Sequence, residues 1–403
     1  MNRNAFALAI AVATLSSIAT PVRAVEATDA ARRLAQEAVI VDTHIDVPGV
    51  LKDHWADLGQ AADKFEFDYP KARAGGLDVA FMSIYTSAKQ DDDSSAWQTA
   101  NEMIDSVEAL AARHPDKFAL LRSPADVERL RAGGRVLLPM GMENGAPIGD
   151  DLSRVQFFFD RGVRYITLAH SANNRIADSS YSEERKWHGL SPFGRQVVAE
   201  MNRLGILVDV SHISDESARD TITASRAPVI ASHSAFRHFT PGFERNISDE
   251  LAKAVADKGG VVQIPFGTAF VDPKAAADTQ AHFRAISHFN RRNAELKAAG
   301  KPEESRAEFD AAWAKAYPPR ATRIEAVLDQ IDYAVKLIGI DHVGIGSDFD
   351  GVDGELPDGL RTVADYPNLV AGLQARGYAD ADVRKVLGEN LLRVWRAVEA
   401  AAK

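Results

Sequence analysis

Apolar residues fall along this chain in short, dense runs. After the first two dozen residues there are eight of them, rich in β-branched side chains, at 39–46, 77–85, 135–143, 163–170, 206–212, 228–233, 260–265 and 342–348. Nearly continuous hydrophobicity of this kind predicts strands buried on both faces. Most runs are followed by apolar positions at helical spacing. Ser191-Pro192 opens one such helix and Gly205 stops it, while Ser214 and Ser248 read as N-caps of two more. Strands alternating with helices predict a parallel sheet, and eight units predict a (β/α)8 TIM-like barrel, with a doubly wound open sheet as the alternative.

One stretch breaks the rhythm. Residues 267–322 are polar and helix-forming, with helices expected at 275–299 and 302–316, inserted after the seventh strand. A βα connection emerges on the active face of a barrel, so this helical insertion can wall a site, bridge subunits, or be a plain surface excursion.

The chain has 403 residues, 46% hydrophobic and 26% charged, enough for one large domain with a sizeable core. Its formal charge of -10, with no Lys/Arg cluster beyond solvated helix faces, argues against nucleic acid as a partner. Residues 1–24 combine a basic head, an apolar stretch and small residues before Ala24, the pattern of a signal peptide cleaved after Ala24, too short for a membrane span. The expected mature chain, 25–403, is then a single barrel domain in an oxidising compartment. With no Cys it can hold neither disulfides nor thiolate metal ligands, so any metal must sit on His, Asp and Glu. Residues 392–403 form a charged amphipathic helix without the apolar tail of a lipid anchor.

The strand ends carry the chemistry. The first run ends in His44-Ile45-Asp46, the third in Glu143, the fourth in His170, the fifth in His212, the sixth in His233 and the eighth in Asp348. Side chains alternate along a strand, so His44 and Asp46 share a face, and in a barrel all the C-terminal strand ends open onto one mouth. A lone His at a strand end is usually a satisfied polar group, but four among 11 His meeting at one mouth are not explained that way. With only N and O donors, zinc is the natural ion. His44 and Asp46 can hold one ion, His212 and His233 another, with Glu143 bridging. Two zinc ions leave residual positive charge after these carboxylates and a bridging hydroxide, which favours an anionic tetrahedral transition state and hence hydrolysis.

The motifs His44-Ile45-Asp46, Met142-Glu143-Asn144-Gly145, Leu168-Ala169-His170 with Asn173-Asn174, Asp209-Val210-Ser211-His212, Ser232-His233-Ser234, Arg245-Asn246 and the run from Asp341 to Gly351 follow one another in an order that resembles the membrane (renal) dipeptidase family of zinc metallopeptidases. The resemblance spans nearly the whole mature chain. It implies a dipeptidase in which His44, Asp46 and Glu143 bind one zinc, and Glu143, His212 and His233 the second. His170 would stabilise the oxyanion and Arg245 clamp the C-terminal carboxylate. Asp348 would accept the ammonium, orient the water or shuttle its proton. It also implies small L,L- or L,D-dipeptides as substrates and allows a homodimer. A Cys-free, unanchored, exported version looks like a bacterial periplasmic enzyme. Two readings from other classes remain open: an amidohydrolase acting on a lactam, lactone or N-acyl amino acid, and an exported binding protein on the same barrel. Asp42, which shares parity with His44, and Asp350, which shares parity with Asp348, are further candidates, each with a structural alternative as a backbone or turn partner.

Overall fold

The computed structural model describes residues 26–91 and 95–402; the signal peptide expected at 1–24 lies outside them. Ten strands form one parallel sheet: β1 (Ile40–Ile45), β2 (Leu77–Tyr85), β3 (Phe118–Leu120), β4 (Val136–Leu138), β5 (Met140–Glu143), β6 (Val163–Thr167), β7 (Leu207–Asp209), β8 (Val229–Ala231), β9 (Val261–Ile264) and β10 (Val343–Ile345). Eight of them, in the order β1-β2-β5-β6-β7-β8-β9-β10, curl into a ring. A parallel bridge between Ile45 and Phe349 joins the exit of β10 to that of β1, closing the TIM-like barrel.

Three details differ from the sequence reading. The run 135–143 is two strands, because Pro139 has no N–H to continue the ladder; its carbonyl still accepts from Met82 N–H at 2.9 Å. The three-residue β3 was not anticipated and pairs with β4 outside the ring. Several strands also stop short of their expected ends, so that His170, His212, His233 and Asp348 sit on the first residues of the loops. His212 and Asp348, each three residues past its strand, both have φ +67°, a left-handed conformation that redirects the chain at the mouth.

Two buried clusters fix this frame. The larger fills the space between sheet and outer helices. The smaller joins Val41, Phe81, Tyr165, Leu207, Ile230 and Val261, from strands all round the ring, and strands on opposite sides can share a cluster only through its interior. Trp395, fully buried on the helix Asn390–Ala401, packs on Phe81 at 5.3 Å and belongs to this cluster, so the expected amphipathic C-terminal helix is part of the barrel core. The helices Pro192–Leu204, Asp215–Ala224 and Asp249–Asp257 carry the expected caps, with Ser191, Ser214 and Ser248 each accepting a backbone N–H of the first turn. After β9 come a short helix, Thr268–Val271, and a hairpin of Pro273–Ala298 with Arg306–Ala316. Asp272 caps the long helix and Pro273 starts it, and the second helix begins at Arg306, behind its cap Ser305. No helix among the described residues is long and apolar enough to cross a membrane.

Candidate metal centre

Seven of the side chains singled out in the sequence converge at the C-terminal end of the ring: His44, Asp46, Glu143, His170, His212, His233 and Asp348. Glu143, the last residue of β5, is at the middle and divides its oxygens. Its Oε2 lies 3.4 Å from His44 Nε2 and accepts from Ser83 Oγ at 3.1 Å. Its Oε1 faces three imidazoles, with Nε2 of His212 at 3.1 Å, of His170 at 3.3 Å and of His233 at 3.4 Å. His44 Nε2 is also 3.2 Å from Asp46 Oδ2.

The donor set fits metal ions. His44 Nε2 is buried without a hydrogen-bond partner and aimed between two carboxylates. Its other nitrogen, Nδ1, lies 2.6 Å from the Tyr165 hydroxyl, which reaches up from the barrel interior. His233 Nδ1 lies 2.7 Å from Ser232 Oγ, and that hydroxyl donates to Asp209 Oδ2 at 2.6 Å. A hydroxyl that gives its proton to Asp209 can only accept from His233, which puts the imidazole proton on Nδ1 and leaves the Nε2 lone pair for a cation. Nε2 of His212 lies 2.8 Å from that of His233, and Arg245 Nη2 donates to His212 Nε2 at 2.9 Å. Three groups of donors lie close enough to share an ion: His44 with Glu143 and His233, Glu143 with His170 and His212, and His44 with Asp46 and Asp348. These triads overlap and together take in every donor of the two expected sets; His233 also approaches His44, with ring centroids 3.8 Å apart, and Asp348 joins the His44 and Asp46 side.

Electrostatics follows from this crowding. Burial lowers the pKa values of His212 and His233, and the cations beside them lower them further, so both are neutral, the form that binds metals. Burial works the same way on His44, but Tyr165, Asp46 and Glu143 outweigh it and hold its pKa well above the usual value. Burial alone would raise Glu143; His44 and His170 instead hold it well below the carboxylate range. Asp348 is pushed well above its ordinary value by burial and then by the charge of Asp46 beside it. Gly351 makes this approach feasible: a Cβ there would meet Asp46 Oδ2 at 2.3 Å and Asp348 Oδ1 at 2.4 Å.

The centre opens into a cavity of about 830 Å³. Asp46, Glu143, His170, His212 and Asp348 line it, together with Tyr85, Tyr181, Phe270 and Phe283. Arg245 is buried and gives its donors to His212, to Ser234 Oγ at 2.9 Å and to the His233 carbonyl at 2.8 Å. It meets the cavity wall through Phe270, whose ring centroid is 5.0 Å from the guanidinium carbon, and its charge pulls against burial on the Tyr181 hydroxyl. Asp42 receives N–H groups from His44 and Ser347 and the Tyr366 hydroxyl, tying β1 to the turn that carries Asp348. Asp350 is similarly occupied with the backbone N–H groups of Glu66 and Phe67. Tyr165, Asp209, Ser232 and Ser83 were not singled out from sequence, although Asp209 and Ser232 stand inside the motifs of the histidines and Tyr165 has the inward parity of its strand.

A family model described as membrane dipeptidase, peptidase family M19, matches residues 28–403. The chain is 32% identical to dipeptidase tcpJ of Claviceps purpurea over 339 residues, 82% of this chain and 68% of that one. It is similar in structure to the probable dipeptidase PvdM of Pseudomonas aeruginosa, with a TM-score of 0.77 at 28% identity over 93% of this chain and 98% of that one. A metallopeptidase of Rhodobacter sphaeroides, solved with a phosphinate mimic of the dipeptide L-Ala-D-Ala, shares the fold at 24% identity, with a TM-score of 0.72 over 90% of this chain and 99% of that one.

Proposed function

The chain belongs to the membrane dipeptidase family, peptidase family M19, and is a metallo-dipeptidase; from that premise we propose that it uses two zinc ions, sharing Glu143, to hydrolyse free L,L- and L,D-dipeptides. In this reading His44 and Asp46 hold one ion with Glu143, and His212 and His233 hold the other with it. The observation that carries the reading is the division of Glu143, with Oε2 toward His44 and Oε1 toward His212, His233 and the more exposed His170. Two divalent ions bound there supply Lewis acidity and positive charge against a tetrahedral, anionic transition state.

The chain's own residues do the rest. His170, half-buried at the cavity wall, donates to the oxygen of the scissile carbonyl as charge gathers on it. Asp348, a carboxylate at the mouth beside His44 and Asp46, takes a proton from the attacking water and passes it to the leaving amine. Arg245 meets the substrate's free carboxylate, with Nε still without a partner in its buried position. Two further acidic side chains of the wall, Asp53 and Asp353, receive the free ammonium. Recognition of both termini limits the substrate to two residues. We place the enzyme outside the cytoplasm, in the periplasm of a bacterium, on the strength of the leader pattern at 1–24.

Cleavage of L,L- and L,D-dipeptides by the purified chain, beside N-acetylated controls and with and without a chelator, tests the reading. Dipeptide cleavage that stops with chelator and with the acetyl block is expected. Preferential cleavage of the N-acylated compounds would overturn it in favour of an amidohydrolase.

A further inference from the structure

The insertion after β9 reaches the catalytic cavity through one aromatic side chain. Phe283, on the helix Pro273–Ala298, lines the cavity and packs against Tyr181 with ring centroids 4.0 Å apart. Two neighbours on the same helix pin it over the mouth. Gln280 Nε2 donates to the Gly242 carbonyl at 2.8 Å, on the loop that carries Arg245, and Arg284 Nε lies 3.6 Å from Glu183 Oε1, on the loop that carries Tyr181. A helix held at three points in register with the mouth is a wall of the site.

The position of the pair in the ring says which part of a substrate it meets. Tyr181 lies on the β6–β7 connection, with its ring 6.0 Å from that of His212, which accepts from Arg245 Nη2 at 2.9 Å. The acidic side chains Asp46, Asp348 and Asp353 line the cavity from the exits of β1 and β10, across the ring from β6 and β7. An ammonium drawn to the acidic side and a carboxylate drawn to Arg245 leave the C-terminal residue beside the two rings. We propose that Phe283, backed by Tyr181, is a specificity-determining residue that selects dipeptides with a bulky apolar or aromatic C-terminal side chain. The assignment rests on the dipeptidase reading and its two-ended binding of the substrate.

The test is a pair of dipeptide series on the zinc-loaded full chain: Ala-Gly, Ala-Leu and Ala-Phe, and the reversed Gly-Ala, Leu-Ala and Phe-Ala. The wild type should favour Ala-Phe over Ala-Gly, and Phe283→Ala should cut that ratio of kcat/KM by roughly tenfold, the scale of one lost aromatic contact. Phe283→Leu should retain the preference for Ala-Leu, and an unchanged Tm in both variants would exclude a folding defect as the cause. An unchanged ratio in well-folded Phe283→Ala overturns the assignment, as does a change confined to the reversed series. A wild type that cleaves none of the six overturns the dipeptidase reading itself, a result separable from either of these.

Discussion

Ser232 Oγ lies 2.7 Å from His233 Nδ1 and gives its own proton to Asp209, so one buried hydroxyl decides which nitrogen of His233 is free for a metal. Removing that hydroxyl frees the imidazole to turn or to change tautomer. Ser232→Ala should therefore lower zinc affinity by about 10- to 100-fold, the usual cost of losing a partner of a ligating histidine. Chelator competition measures it, and an affinity equal to wild type would mean that the ring is fixed by packing against His44 alone.

Gly351 leaves room for two carboxyls to approach. A methyl group at this position would lie 2.3 Å from Asp46 Oδ2 and 2.4 Å from Asp348 Oδ1, and one of the two must move. Gly351→Ala should cost at least about tenfold in kcat, the scale of a displaced ligand environment, while the thermal transition stays close to wild type. Steady-state kinetics beside a melting curve separates the two effects.

Arg245 is buried and hydrogen-bonded to the centre, yet is proposed to meet the substrate's carboxylate. Arg245→Ala should then cost on the order of 2–5 kcal/mol in kcat/KM for a free dipeptide, and much less for the same dipeptide amidated at its C-terminus. Equal losses on both substrates would assign Arg245 to holding His212 rather than to binding substrate.

Glu66 and Asp350 exchange backbone hydrogen bonds beside the centre. Burial first, and then neighbouring carboxylates, push both acids up to about 7. The folded chain therefore retains protons that the unfolded chain has released. Stability from this pair is full below about pH 4, where both states are protonated, and is lost as the pH rises through about 7. Metal-free protein should be less stable to urea at pH 8 than at pH 5, and Glu66→Gln should reduce that difference by on the order of 2 kcal/mol. A larger difference in the variant would reverse the sign argued here.

The barrel was legible because buried parallel strands leave unbroken apolar runs, and the cluster of His, Asp and Glu at its mouth because those side chains follow the runs directly. The exact strand ends were not, since the apolar runs continue past the last ladder pairs, which stop at Asp209 and Ile345, three residues before His212 and Asp348. β3 is three residues long and carries too little pattern to stand out. Phe283 lies in an Ala-rich helix whose place over the site is set by Gln280 and Arg284, contacts that no periodicity announces. Tyr165 had the parity of an ordinary core residue, and only the closed ring brings its hydroxyl to His44.

In the proposed mechanism Glu143 is shared between two ions. Metal content of the purified, zinc-loaded chain, measured by mass spectrometry alongside dipeptide hydrolysis, tests it most directly when wild type is compared with Glu143→Ala. Wild type should carry two zinc ions per chain, and the variant fewer than one, with no measurable hydrolysis. A variant that keeps both ions, or a wild type fully active with a single ion, would contradict it.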